Sequence, residues 1–213
     1  MSRPNRRRAI RAVAPVAGLL AAGLLVWQGS YAAFSASTDN TADAWTTGQL
    51  ALTNNGGTGT TYTGTTTGIF GSGTPQPETN MKPGATGAKC ITVQSGGNLA
   101  GNIKLFRGAI GGTNGPALAN QLNLTITAAP VGAGVNVLAD CATFPATGTT
   151  SIYTGTLTGM PTAYGLQTGM GVTAGVQKVA YRIGWTFAST GTNSGDNALQ
   201  SSSATADLTW EIQ

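Results

Sequence analysis

The sequence predicts an all-β protein: an antiparallel β-sandwich, jelly-roll-like, set behind an N-terminal helical leader. Three observations lead there. Apolar and polar residues alternate with period two over several stretches. Clusters of Gly, Asn and Pro with turn chemistry separate those stretches. After Trp27 no long stretch carries a helical period and no βαβ rhythm appears. Short strands joined by Gly-rich turns, without crossover helices, build an antiparallel sandwich or jelly roll.

The leader comes first. Residues 1–11 hold Arg3, Arg6, Arg7, Arg8 and Arg11 and no acid. An apolar run of Ala, Leu, Val and Gly follows over residues 12–27. A basic n-region, an apolar h-region and a small-residue site form a secretory signal. The run is shorter than the ~20 residues a spanning helix needs. Tyr31, Ala32 and Ala33 supply the small-residue site, so cleavage is expected between Ala33 and Phe34. Residues 1–33 are then the signal peptide, and residues 34–213 form one domain. The alternative is an uncleaved anchor helix. Cationic residues stay on the cytoplasmic side, so the rest of the chain is expected outside the cell. Membrane contact is expected only through this leader, and a signal peptidase is the expected processing partner.

The strands follow. Leu122, Leu124 and Ile126 alternate with Asn123, Thr125 and Thr127. Val179, Tyr181, Ile183, Trp185 and Phe187 alternate with Ala180, Arg182, Gly184 and Thr186. Leu208, Trp210 and Ile212 alternate with Asp207, Thr209 and Glu211. Such alternation buries one face of a strand. Residues 49–53, 89–94, 102–107 and 151–157 read as weaker strands. Turns are expected at Asn54-Asn55-Gly56-Gly57, Lys82-Pro83-Gly84, Ser95-Gly96-Gly97-Asn98 and the Gly-rich run 111–116. Residues 116–122 allow one short helical turn. Residues 56–73 are low-complexity Gly/Thr sequence, read as a long loop rather than a hairpin.

The formal net charge of +4 misleads. Beyond the leader only Lys82, Lys89, Lys104, Arg107, Lys178 and Arg182 are basic, while all the acids, Asp39, Asp43, Glu78, Asp140, Asp196, Asp207 and Glu211, lie there. The exported part is therefore slightly acidic. It has no basic footprint for phosphates, and nucleic acid is not an expected partner. Charged residues make up 8% of the chain, against roughly 25% in ordinary soluble domains. A Thr-rich, weakly charged, strand-rich surface defends poorly against edge-to-edge pairing, which favours assembly.

Cys90 and Cys141 are the two cysteines. In an exported chain such a pair reads most simply as a disulfide.

With these pieces in place the chain resembles the TasA/camelysin family of exported bacterial matrix and surface proteins. Four pieces carry the likeness. One is the junction Gly29-Ser30-Tyr31-Ala32-Ala33-Phe34-Ser35-Ala36-Ser37, with Thr47-Gly48-Gln49-Leu50-Ala51-Leu52 soon after. Another is Asn80-Met81-Lys82-Pro83-Gly84, leading to Ile91-Thr92-Val93 and Gly97-Asn98-Leu99-Ala100. The others are Ile152-Tyr153-Thr154-Gly155-Thr156-Leu157, and Asp196-Asn197-Ala198-Leu199-Gln200 followed by Leu208-Thr209-Trp210-Glu211. The resemblance implies a jelly-roll-like sandwich, processing by a dedicated signal peptidase, and extracellular or biofilm-matrix fibres. It also implies donor-strand exchange: the freed N-terminal segment, within residues 34–41, adds to the next subunit. Phe34, Ser35, Ala36, Ser37 and Thr38 are the candidate donor strand. Phe34 and Ala36 would face one side, Ser35 and Ser37 the other. The expected partner is a second copy or a related matrix protein. The alternative is a monomeric surface adhesin or carbohydrate-binding domain.

Other chemistry is poorly supported by the residues present. The chain has no His, so neither an H-E-x-x-H zinc site nor a Ser-His-Asp or Cys-His arrangement can form. No catalytic role, cofactor or resident metal is expected. Asp39, Asn40 and Asp43 read as turn-capping rather than as a calcium loop. Gly169, Gly171 and Gly175 are spaced one residue too wide for a dinucleotide fingerprint and read as a turn. Asn123-Leu124-Thr125 is a formal glycosylation triplet within a strand. Trp185 and Trp210 lie on apolar faces and read as core; Trp45 is the freer candidate for glycan stacking.

Overall fold

Alternating sequence becomes two antiparallel sheets facing one another across an apolar core. A computed structural model describes residues 48–66, 68–70, 78 and 80–213. Its strands are β1 (Leu52–Asn54), β2 (Thr86–Ser95), β3 (Gly101–Arg107), β4 (Leu122–Val131), β5 (Thr150–Thr156), β6 (Met170–Val172), β7 (Gln177–Phe187) and β8 (Leu208–Ile212). Two short helices, α1 (Gly115–Gln121) and α2 (Asn193–Ala198), cap connections. The leader, the Ala33/Phe34 junction, the candidate donor strand, Asp39, Asn40, Asp43 and Trp45 lie outside the described residues.

One sheet has the order β1-β2-β7-β4-β5 and the other β6-β3-β8. Every pairing is antiparallel. The orders 2-7-4-5 and 6-3-8 are those of an eight-stranded jelly roll. One element departs from that plan. In a complete jelly roll the first strand lies beside the eighth, whereas here β1 pairs with β2, Leu52 opposite Ser95 and Asn54 opposite Val93.

The period-two residues fill the core as expected. Ile126, Tyr181 and Ile183 of the first sheet and Ile103 and Leu105 of the second are almost completely buried. At the centre of β7, Val179, Tyr181, Ile183, Trp185 and Phe187 all face inward, while Arg182 and Thr186 are exposed. Gly87 on β2 makes this packing possible. A Cβ there would sit 2.7 Å from the Trp185 indole, so only glycine lets the ring lie flat against the sheet.

The outer face of the first sheet is not wholly polar. Lys178 and Ala180, on the side opposite the main core, are buried. The connection after β4 folds back over them, and Cys90, Val137 and Ala180 form a second small cluster beneath it. The predicted disulfide Cys90–Cys141 ties that connection to β2, with Cα atoms 5.1 Å apart.

Several expectations need correction. Residues 169–175 are not simply a turn. Met170–Val172 is β6, pairing with β3, because Met170 and Val172 point inward while Gly171 is exposed; only Gly175 has a positive φ, 96°. The predicted strand at 49–53 starts late, at Leu52, since Gln49 and Ala51 give their carbonyls to the amides of Asn98 and Gly96 in the β2–β3 turn. The low-complexity segment opens as a hairpin rather than a plain loop: Asn54 and Thr63 exchange both main-chain hydrogen bonds, 2.9 and 3.0 Å. α2 carried no helical period. Its start is set by Thr192, whose hydroxyl accepts from the Gly195 amide.

Candidate binding groove

The departure of β1 leaves an edge. Asn102 and Gln213 exchange main-chain hydrogen bonds, and the Gly108 amide donates to the Asp207 carbonyl. Antiparallel alternation then turns the N–H and C=O groups of Thr209 and Glu211 toward β3 as well, and those of Leu208, Trp210 and Ile212 away from it. Among the described residues, nothing hydrogen-bonds to that outward edge.

A groove of about 690 Å³ opens beside this edge. Its floor is the sandwich core itself, with the buried Ile91, Val93, Ile183 and Trp185 of the first sheet lining it. One wall is β8 with the preceding residues 204–207; the other is β1 and the segment carrying Ile69 and Phe70. The lining is mostly apolar, and the volume falls within the range of roughly 300–1,000 Å³ usual for occupied clefts. Acids sit at its margin. Glu78 is paired with Lys89 at 3.7 Å, and Asp207 is exposed.

Polar donors are set into these apolar walls. The indole N–H groups of Trp185 and Trp210 are buried without a hydrogen-bond partner among the described residues. Trp210 packs edge-on to Tyr181, ring centres 5.7 Å apart. Burial in the core pushes the Tyr181 phenol well above its ordinary value. Its hydroxyl is also unpartnered among the described residues. Both tryptophans read from the sequence as core are therefore core residues that also face the groove.

Away from the groove, a polar cluster clamps three distant segments together. Asn55 is 3% exposed. Its Nδ2 donates to the carbonyls of Gly59 and Val137, each at 3.1 Å. Its Oδ1 accepts from the amides of Gly57 and Thr92 at 3.0 and 2.9 Å. The Lys178 ammonium donates to Asn136 Oδ1 at 2.8 Å and lies over the Tyr62 ring, 4.8 Å from its centre. The Tyr62 hydroxyl donates to the same Asn136 oxygen at 2.6 Å. Burial raises the Tyr62 pKa, so this donor stays protonated. Sequence reading took Asn55 for an ordinary turn residue, and only tertiary structure turns it into a hub.

Asn123 is exposed in β4, between β5 and β7. Among the described residues there is no group of three or more side chains suited to hold a metal, and no helix long and apolar enough to cross a membrane. The disulfide points to an oxidising compartment. No family model and no curated protein matches the chain.

Proposed function

We propose that this is an exported structural protein that polymerises by strand donation. Residues 34–38 of one copy add to the outward edge of β8 in the next, and their apolar side chains enter the groove. The observation that carries this reading is an outward-facing β8 edge lying directly over an apolar groove. Strand addition joins main-chain hydrogen bonds to side-chain pockets on alternate residues, which is what this site offers. Leu208, Trp210 and Ile212 provide about six outward N–H and C=O groups, each bond worth about 1 kcal/mol net. Burying Phe34 adds on the order of 2 kcal/mol. Ordering five residues costs about 1–2 kcal/mol each, so the gain per junction is modest and specific pairing matters. Head-to-tail addition of this kind does not close, and it yields filaments. Cleavage between Ala33 and Phe34 frees the strand, which makes export and assembly one process. The family resemblance supports the same role, in extracellular or matrix fibres at the cell surface, with no catalytic activity.

The test is electron microscopy of protein beginning at Phe34, at rising concentration. Filaments are expected, and protein beginning at residue 42 should remain monomeric. Filaments of the same form from the shortened chain would refute the proposal. One observation favours a second reading, a monomeric glycan-binding surface domain: Trp210 lines the open groove. Persistent monomers that bind a glycan, with the affinity lost in Trp210→Ala, would establish it instead.

A further inference from the structure

We infer that Lys178 and Asn136 condense with one another. The product is an internal amide bond that fastens the connection after β4 to the start of β7. It is a covalent modification that the folded chain makes by itself.

The two reactants are already together. Lys178 lies at the start of β7 and is 9% exposed. A lysine buried this far is ordinarily paired with an acid. Yet among the described residues the one ion pair is Glu78–Lys89. The Lys178 ammonium instead donates to Asn136 Oδ1 at 2.8 Å. An ammonium only donates, so the atom it meets is the carbonyl oxygen and not the amide nitrogen. A C=O bond is about 1.2 Å long, which sets Nζ no more than about 4 Å from Asn136 Cγ. A small rotation of the lysine side chain brings the two to the roughly 3–3.5 Å of a near-attack arrangement. Holding them there is equivalent to an effective concentration of about 10⁵–10⁸ M.

A third group completes the set. The Tyr62 hydroxyl donates to the same Asn136 oxygen at 2.6 Å, and its ring centre is 4.8 Å from Nζ. Its proton is aimed at the atom on which negative charge develops when Nζ attacks Cγ. Asn136 itself is half-buried, so a group leaving from Nδ2 reaches solvent.

The reaction balances without a co-reactant. Nζ gives up one proton, and its lone pair forms the Nζ–Cγ bond. The carbonyl electrons move onto Oδ1, where the Tyr62 O–H holds them. As the carbonyl re-forms, the Cγ–Nδ2 bond breaks and Nζ loses a second proton. Nδ2 takes both protons and leaves as an ammonium ion. A protonated amine and a primary amide become a secondary amide and ammonium, and nothing is oxidised or reduced. The product removes a buried charge that has no acid beside it, which favours the condensed state. The bond spans 42 residues. Together with Cys90–Cys141 it holds the connection at two points, to β2 and to β7, and it persists when the disulfide is reduced.

Mass spectrometry of the purified protein, reduced and denatured, reads the bond. The mass should fall short of the sequence, counted from the observed N-terminus, by one ammonia. Trypsin should fail to cut after Lys178. Chymotrypsin cuts after Tyr153 and Tyr164, and should release Asn136 and Lys178 in one joined peptide. Lys178→Arg and Asn136→Ala should each restore the full mass and run more slowly than wild type on a reducing, denaturing gel. Tyr62→Phe keeps the ring but removes the donor. Condensation about a hundredfold slower should leave that variant mostly unjoined when freshly purified. A wild-type mass equal to the sequence would show that the contact is a hydrogen bond alone and overturn the inference. An ammonia loss that maps to any other peptide would overturn it as well. Full condensation in fresh Tyr62→Phe would overturn the role given to the phenol.

Discussion

Replacing Asn55 by Ala tests whether the polar clamp, rather than the turn, holds the β1 end of the domain. The side chain makes four hydrogen bonds at 2.9–3.1 Å in an almost closed site. Alanine removes all four and leaves the Gly57 and Thr92 amides and the Gly59 carbonyl without that partner, while the Val137 carbonyl keeps the Thr92 hydroxyl at 3.0 Å. At about 1 kcal/mol for each lost bond the expected loss is about 4 kcal/mol, a large part of the 5–15 kcal/mol typical of a domain. Urea unfolding of protein starting at Phe34, followed by tryptophan fluorescence, measures it, with the transition midpoint falling at an unchanged slope. Asn55→Asp is the control. It keeps the two bonds from Gly57 and Thr92 but sets a carboxylate against the carbonyls of Gly59 and Val137. That raises its folded pKa above the unfolded one. The cost is then present at neutral pH and relieved as the pH falls through the folded value. A loss below 1 kcal/mol for Asn55→Ala would refute the clamp.

Three further outcomes follow from the same structure. Tyr181→Phe removes a buried hydroxyl that has no partner among the described residues and should stabilise the domain by about 1 kcal/mol in urea unfolding. Because burial raises the Tyr181 pKa, wild-type stability is intact below the unfolded value of about 10. It should fall as pH rises toward the folded value, and the Phe variant should lack that component. Replacing Cys90 and Cys141 together by Ala opens a link across 51 residues and should cost about 4 kcal/mol by chain entropy; a fall under 1 kcal/mol in the same assay would show the clamp alone holds that face. Asp196 is held low chiefly by the Thr190 amide, then by the Ser189 and Thr190 hydroxyls. Its contribution is present above the unfolded value of about 3.9 and lost as pH falls through the folded one. Protection of the Thr190 amide from hydrogen exchange should therefore drop in acid, and Asp196→Asn should remove that pH dependence.

The parts visible in the sequence are those that local periodicity controls. β4, β7 and β8 carry five or more residues of strict alternation, and their inward faces are the ones expected. The Cys90–Cys141 bond followed from count and compartment. β6 was hidden because two of the three residues in Gly169-Met170-Gly171 are glycine, which reads as a turn; its strand character comes from pairing with β3. The burial of Ala180 and Lys178 depends on a connection that folds back from 42 residues away in the chain, about which alternation says nothing. The groove was illegible for the same reason. The sequence marks Leu208, Trp210 and Ile212 as a strand, but whether both edges of that strand are paired is a property of topology.

Salt separates the two kinds of force available at the groove. The described domain has a single ion pair, Glu78–Lys89, with both side chains partly exposed, and such pairs contribute about 0–1 kcal/mol. The proposed donor strand is uncharged from Phe34 to Thr38 apart from its new terminal amine, and β8 offers it main-chain groups and an apolar floor. Moving from 0.05 to 1 M sodium chloride shortens the screening length to about 3 Å, which would weaken a junction held by charge and leave one held by hydrogen bonds and buried apolar surface intact. Sulfate, which strengthens apolar burial, should lower the concentration at which filaments appear. Light scattering across both salts decides the matter. Filaments that dissolve in 1 M sodium chloride would mean that Asp207, Glu211 or the terminal amine carries the junction, and that the groove is incidental to it.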